Sequence, residues 1–278
     1  MRKKILLFTI TVLFSVGSFS QTGDFDPDIG VSLKASTNGI GGDIYYRPMK
    51  KLAVKAGVEY FSLTITSDKV ESWIDEDINI SIPNPLGNDL VFDTKGRFKT
   101  GALSLAVGYQ PFKLFYVTAG ISKSLFAPDV SGTAANDIVF EDNNNSEVAR
   151  IAKDIVGPFK INIKPKSSIM PYLGVGLGNF VPQNKTVSFA FEIGAYYVGS
   201  YVLEPVFPTG LNVENIQYSG SITPEQKGRI ATEVVKFETD IKTEVNTVIK
   251  DVNDALESFK FYPVIKLTVG FKAFTFKK

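Results

Sequence analysis

Ten charged side chains sit at alternate positions within otherwise apolar segments: Lys34, Asp43, Arg47, Lys55, Glu59, Lys160, Lys164, Glu192, Lys266 and Lys272. If these segments are β-strands, a period of two gathers the charges on one face and the apolar residues on the other. On the inner face of a closed sheet they have two uses. They can line a path as a selectivity filter or proton-linked site. They can instead pair and fill a narrow interior, since buried charges demand partners. The second is the simpler chemistry and the favoured one. Asp43 and Glu192 are the acids that the pattern buries most firmly, and each is expected to meet a Lys or Arg.

Other chemistries lack their residues. The chain has no Cys and no His. Thiolate metal sites, disulfides and imidazole acid/base work are therefore excluded. Barrel hydrolases and acyltransferases need a nucleophile activated by His. A mechanism resting on carboxylates alone needs two acids converging in a cleft, which no spacing here provides. No catalytic residue, metal or cofactor is expected. The acids Asp68, Glu71, Asp75, Glu76 and Asp77, and Glu141-Asp142 followed by Asn143 to Asn145, match no calcium-loop spacing and read as solvated surface. Trp73 lies among them as an anchor or contact residue. Lys and Arg number 30 against 29 Asp and Glu, which gives no reason to expect a nucleic-acid partner.

The elements that must position the charges are strands. The clearest is Val187 to Tyr197, greasy at odd positions and small or polar at even ones. Such one-sided runs of about ten residues suit a membrane-spanning wall with lipid outside and a lumen inside. Similar runs cover Ile29–Ser36, Ile40–Arg47, Leu52–Tyr60, Phe98–Tyr109, Lys113–Phe126, Phe159–Lys164 and Tyr172–Asn179, with a terminal run around Leu267–Ala273. Thr37-Asn38-Gly39 signals a tight turn. After Tyr60 the apolar phase slips to Phe61, Leu63 and Ile65, as a bulge or an exit from the bilayer would produce. Short turns at Pro48–Lys50, Gln110–Phe112 and Pro165–Ser167 alternate with long polar segments, which assigns the turns to the periplasm and the long loops to the outside. Bulky Tyr45, Tyr116, Tyr172 and Tyr196 point inward, opposite a row of Gly174, Gly176 and Gly178 that leaves local space.

The fold class is therefore all-β, an antiparallel transmembrane β-barrel of 8–10 strands. Nine clear runs and an even count favour ten, with the tenth in Tyr201–Tyr218; eight follows if a short run does not span. Residues 1–20 read as a signal peptide: a basic Arg2-Lys3-Lys4, an apolar stretch from Ile5 to Val16, then Ser18-Phe19-Ser20 with cleavage before Gln21. Residues 21–278 form the barrel, with a helical insertion at about 223–259. There Ile230, Val234, Phe237, Ile241, Val245, Val248, Val252, Ala255 and Phe259 recur at spacings of three and four, one stripe of an amphipathic helix. Thr223-Pro224 and Gln226 form its capping signal. Its Val and Ile content needs a packing partner, in a single buried stripe of Ile230, Phe237, Ile241, Val248 and Val252 before the last strand.

Pro171-Tyr172-Leu173-Gly174-Val175-Gly176-Leu177-Gly178-Asn179, Phe189 to Ala195, and the charged helix running into Lys260-Phe261-Tyr262-Pro263-Val264 together carry a resemblance. The chain resembles a small outer-membrane β-barrel of the OmpA/OmpW-like porin family of the Bacteroidetes type. The resemblance implies a Gram-negative outer membrane, lipid and the barrel-assembly machinery as partners, and no catalytic residues. Barrels of this family commonly end on an outward aromatic; here Phe271 and Ala273 hold the outward phase and Phe274 and Phe276 fall off it. Two functions are open: a structural or surface-interaction barrel with a largely filled lumen, or a porin-like channel for small solutes.

Overall fold

The computed structural model describes residues 25–66, 80–84, 87–142, 146–183, 186–219 and 222–276. The expected signal peptide, the acids from Asp68 to Asp77, Trp73, and Asn143 to Asn145 lie outside the described residues. In chain order the elements are β1 (Asp28–Ser36), β2 (Gly39–Met49), β3 (Leu52–Thr66), β4 (Ile80–Ile82), β5 (Leu90–Phe112), β6 (Phe115–Ser124), β7 (Asp129–Ala134), β8 (Ile138–Glu141) and β9 (Glu147–Ile151). Then follow α1 (Lys153–Val156), β10 (Phe159–Pro165), β11 (Ile169–Gly178), β12 (Val187–Tyr197), β13 (Tyr201–Val206), β14 (Gln217–Tyr218), α2 (Pro224–Leu256) and β15 (Phe261–Thr275). Neither described helix is long and apolar enough to cross a membrane.

Antiparallel pairing runs from β5 through β3, β2, β1, β15, β12, β11 and β6, and β6 pairs β5 again. The ring is therefore a closed antiparallel barrel of eight strands, the lower end of the expected range, and the preference for ten is corrected. The two surplus runs became β10 and β13, which pair with each other and, through β7, with the upper half of β5. At 7 and 6 residues they fall short of the nine to eleven or so that a spanning strand needs.

Asp28 and Thr275 lie at one end of the ring, with the β2–β3 and β5–β6 turns; the connections carrying β4, β7 to β10, β13, β14 and α2 all lie at the other, upper end. Pro165–Ser167 is on that upper side, not with the short turns, because β11 starts there and runs antiparallel to β6. The slip after Tyr60 is an exit. β3 and β5 stay in register from Leu52↔Tyr109 to Thr66↔Lys95, rising together past the ring with Tyr60, Phe61 and Leu63 all exposed.

Around the ring, Leu33, Ile40, Ile44, Leu173, Leu177 and Leu267 stand exposed on the outer face. Exposed aromatics flank this aliphatic band: Tyr46, Tyr109, Phe112, Phe274 and Phe276 below, Tyr60, Phe61, Phe98, Tyr197 and Phe261 above. The two lower phenylalanines are a correction. A register shift pairs Ile29 with Phe274 but Gly30 with Lys272, so Ala273 is bulged out of the ladder. One extra residue reverses the phase, and Phe274 and Phe276 become outward and meet edge to face at 5.1 Å.

Above the ring the chain builds a second core. Leu90, Phe92, Ile138, Phe140, Ile151 and Leu211 pack with Ile230, Val234 and Ile241 of α2. Here Asp129 holds the Arg97 guanidinium above its usual range through a 3.0 Å bond. At the rim, burial pushes the Tyr201 hydroxyl up to about 12. α2 begins on the expected capping box, Thr223 with Gln226. Its buried stripe is Ile230, Val234, Ile241 and Ile249, with Phe237 and Val245 half-buried against it. Val248 and Val252 are exposed, against expectation. The lower half of the helix docks on the free edge of β13, where the Asn253 side chain accepts from Leu203 N–H at 2.7 Å and donates to Leu203 C=O at 3.3 Å. That contact rotates Ile249, rather than Val248, toward the sheet.

Candidate functional site in the barrel interior

Most of the inward charges expected from alternation meet inside the ring. Lys34, Asp43, Arg47, Lys55, Glu59, Glu192 and Lys266 are all buried there. Lys160 is not among them: β10 lies outside the ring, and the Lys160 ammonium reaches Asp129 at 3.8 Å in the upper sheet. Lys164 likewise pairs with Glu204 at 2.7 Å on the surface. Both alternate in sequence like wall residues, but their strand never joins the wall.

The interior is layered. At the lower mouth, Arg47 grips Asp28 with both its Nε and terminal nitrogen, and Lys272 stands 3.5 Å from the same carboxylate. Arg47 and Lys272 also donate to the Gln183 carbonyl at 3.2 and 2.8 Å. These bonds tie down the β11–β12 connection, whose Phe180 and Val181 are buried with Tyr45, Ala53, Tyr116 and Ala190. The Phe180 ring lies 5.2 Å from that of Tyr116.

In the middle layer Lys34 donates to Asp43 at 2.6 Å, and Ser32 donates to the other carboxylate oxygen at 3.1 Å. Glu192 accepts from Tyr172 at 2.5 Å and Thr118 at 2.8 Å, with the Lys266 ammonium 3.6 Å away. Lys266 also sits over the Tyr172 ring at 3.8 Å. Higher up, fully buried Glu59 accepts from Ser36 at 2.9 Å, Asn38 at 3.1 Å and Tyr196 at 3.3 Å. Thr100 in turn donates to the Asn38 carbonyl oxygen at 3.2 Å. Met170, Val198 and Val264 cover this layer from above.

The inward glycines are sockets for these rings. A Cβ on Gly176 would stand 2.1 Å from the Tyr116 ring, one on Gly194 2.2 Å from the Tyr172 hydroxyl, and one on Gly108 2.2 Å from the Phe180 ring. The local space foreseen in the glycine row is thus occupied by aromatic side chains crossing the barrel. Between the layers lies a cavity of about 30 Å³, lined among others by Lys34, Lys55, Ser104, Thr118, Glu192 and Lys266.

Sequence reasoning missed Asp28, Asn38 and Phe180. Asp28 shares the even inward phase of Gly30, Ser32 and Lys34, so continuing β1 by one step would have found it. Phe180 belongs to a connection with no periodicity and carried no signal.

No family model and no curated protein matches the chain. Similar solved structures include CarO of Acinetobacter baumannii (19% identity, TM-score 0.43, covering 88% of this chain and 98% of that one). CarO2 of Acinetobacter baumannii is 16% identical at TM-score 0.42, covering 90% of this chain and 100% of that one. A major outer membrane protein from Thermus thermophilus is 14% identical at TM-score 0.35, covering 88% of this chain and 99% of that one.

Proposed function

We propose that this chain is an integral protein of the bacterial outer membrane: a barrel with a filled lumen that carries a domain on its upper, extracellular side and acts structurally or through surface contacts. The carrying observation is the interior. Tyr45, Tyr116 and Tyr172 set in glycine sockets, the buried Tyr196, two ion-paired layers and the Phe180 connection fill the ring, and the central cavity between the layers measures about 30 Å³. A hydrated solute needs a continuous path, and a void of that size holds one or two waters. The membrane assignment rests on the wall. Its outer face is aliphatic between two aromatic girdles, an exposure that water would penalise and lipid would not.

Lipid is then the partner of the wall, and the barrel-assembly machinery reads the end of β15, where the bulge returns Phe274 and Phe276 to the outside. The upper domain is the surface that a further partner would meet. The chain has no catalytic role in this reading, and its mature form begins at Gln21. Planar-bilayer recording of the refolded protein is the test. No steady conductance is expected; a reproducible open level would reject this reading in favour of the porin-like channel for small solutes. Fractionation with the soluble periplasm, or a gel mobility in detergent that heating leaves unchanged, would reject the membrane assignment.

A further inference from the structure

The middle layer contains a charge that its neighbours do not settle. Lys55 projects inward from β3 and is 7% exposed. Among the described residues its ammonium makes no ion pair and no hydrogen bond; its contact is the face of Phe180, 4.1 Å from the ring centroid. A ring face returns far less than a buried ammonium loses on leaving water. Every other interior cation has a carboxylate: Lys34 has Asp43, Arg47 and Lys272 share Asp28, and Lys266 has Glu192. Counting Glu59, five cations thus face four carboxylates among the described interior residues, and Lys55 is the cation left over.

Lys55 lines the central cavity. The acids on the same lining are already engaged, both oxygens of Asp43 by Lys34 and Ser32, both of Glu192 by Tyr172 and Thr118. The N–H donors of Lys55 have no carboxylate or hydrogen-bond partner among the described residues and face this space. We propose that the cavity binds one monovalent anion of halide size, held by Lys55 and compensating the interior's excess positive charge. The volume, about 30 Å³, sets the class: it admits one or two water-sized occupants and excludes phosphate, sulfate and carboxylates. The inference goes beyond the filled-lumen reading, and its test does not depend on conductance.

The full-length protein is refolded into detergent in sodium bromide and crystallised, and the anomalous difference map is calculated. A bromide peak in contact with Lys55 Nζ is expected; a cavity that is empty, or that holds density without anomalous signal, overturns the proposal. Thermal unfolding of protein refolded in bromide, chloride or gluconate at equal ionic strength gives a second reading. The midpoint should rise with halide and saturate. Lys55→Met keeps the length of the stem and removes the charge, and should abolish the halide dependence. A halide response that persists in Lys55→Met overturns the assignment to Lys55, and if that variant fails to fold the bromide map of the native protein decides alone.

Discussion

Glu192 is held on every side by groups that need it. Removing its carboxylate in Glu192→Ala leaves Lys266 buried without its acid and takes the acceptor from Tyr172 and Thr118. Breaking such a buried pair costs about 3–5 kcal/mol, and urea unfolding of the refolded barrel should register that loss. A loss below about 1 kcal/mol would mean that water takes the place of the carboxylate. Gly176→Ala probes the packing instead. Its methyl group would enter the space of the Tyr116 ring, and overpacking of that kind costs about 1–3 kcal/mol. The same midpoint measurement checks it, and an unchanged midpoint would show that the ring can move aside. At this scale the sequence was informative wherever a residue lay on a ring strand. Asp43, Glu59 and Lys266 occupy the predicted face because alternation is imposed by the backbone. The partner of each was not legible, since Ser36 and Tyr196 reach Glu59 from other strands, and Asn38 from the β1–β2 turn, in a register no local pattern reports.

The long helix separates what periodicity can say from what docking decides. Its length, cap and upper stripe follow from spacing alone. Which of two neighbouring rows is buried in the lower half is set by Asn253 on the β13 edge, a contact between segments fifty residues apart. Two substitutions distinguish the rows. Val234→Asp puts a charge into the upper core and should destabilise that region by about 2–4 kcal/mol. Val248→Asp lies on the exposed side and should stay within about 0.5 kcal/mol of the native protein. Limited proteolysis of membrane-embedded protein at Lys236 and Lys242 reads both: cleavage should accelerate in the first variant and not in the second. Asn253→Ala should cost about 1–2 kcal/mol, because Leu203 loses a donor and an acceptor partner on an edge strand. Hydrogen exchange at the Leu203 amide is the direct measure, and unchanged protection there would deny the clasp.

For the whole molecule, class was easier to read than count. A wall with a greasy outside and a polar inside needs alternation in every strand, so the barrel is visible from any of its longer runs. The count failed because β10 alternates too and the irregular run holding β13 completed an even number, while both join the sheet above the ring, through β7. Ring membership is a property of pairing partners. Length was the discriminating signal in Phe159–Lys164, too short to span, whereas only the structure reduces Tyr201–Tyr218 to the six residues of β13 and the two of β14.

β5 belongs to both halves of the molecule. Its 23 residues run without interruption from the lower turn to the upper sheet, paired below with β6, above with β7, and along most of its length with β3. The upper domain is therefore keyed to the barrel as a mast is stepped in a hull, not moored by a slack line. A pull applied outside would load the β3–β5 ladder in shear, fifteen residue pairs sharing the force together. Side chains on the upper surface should keep a fixed bearing relative to the barrel axis, so that whatever the domain meets, it meets at one height and one angle.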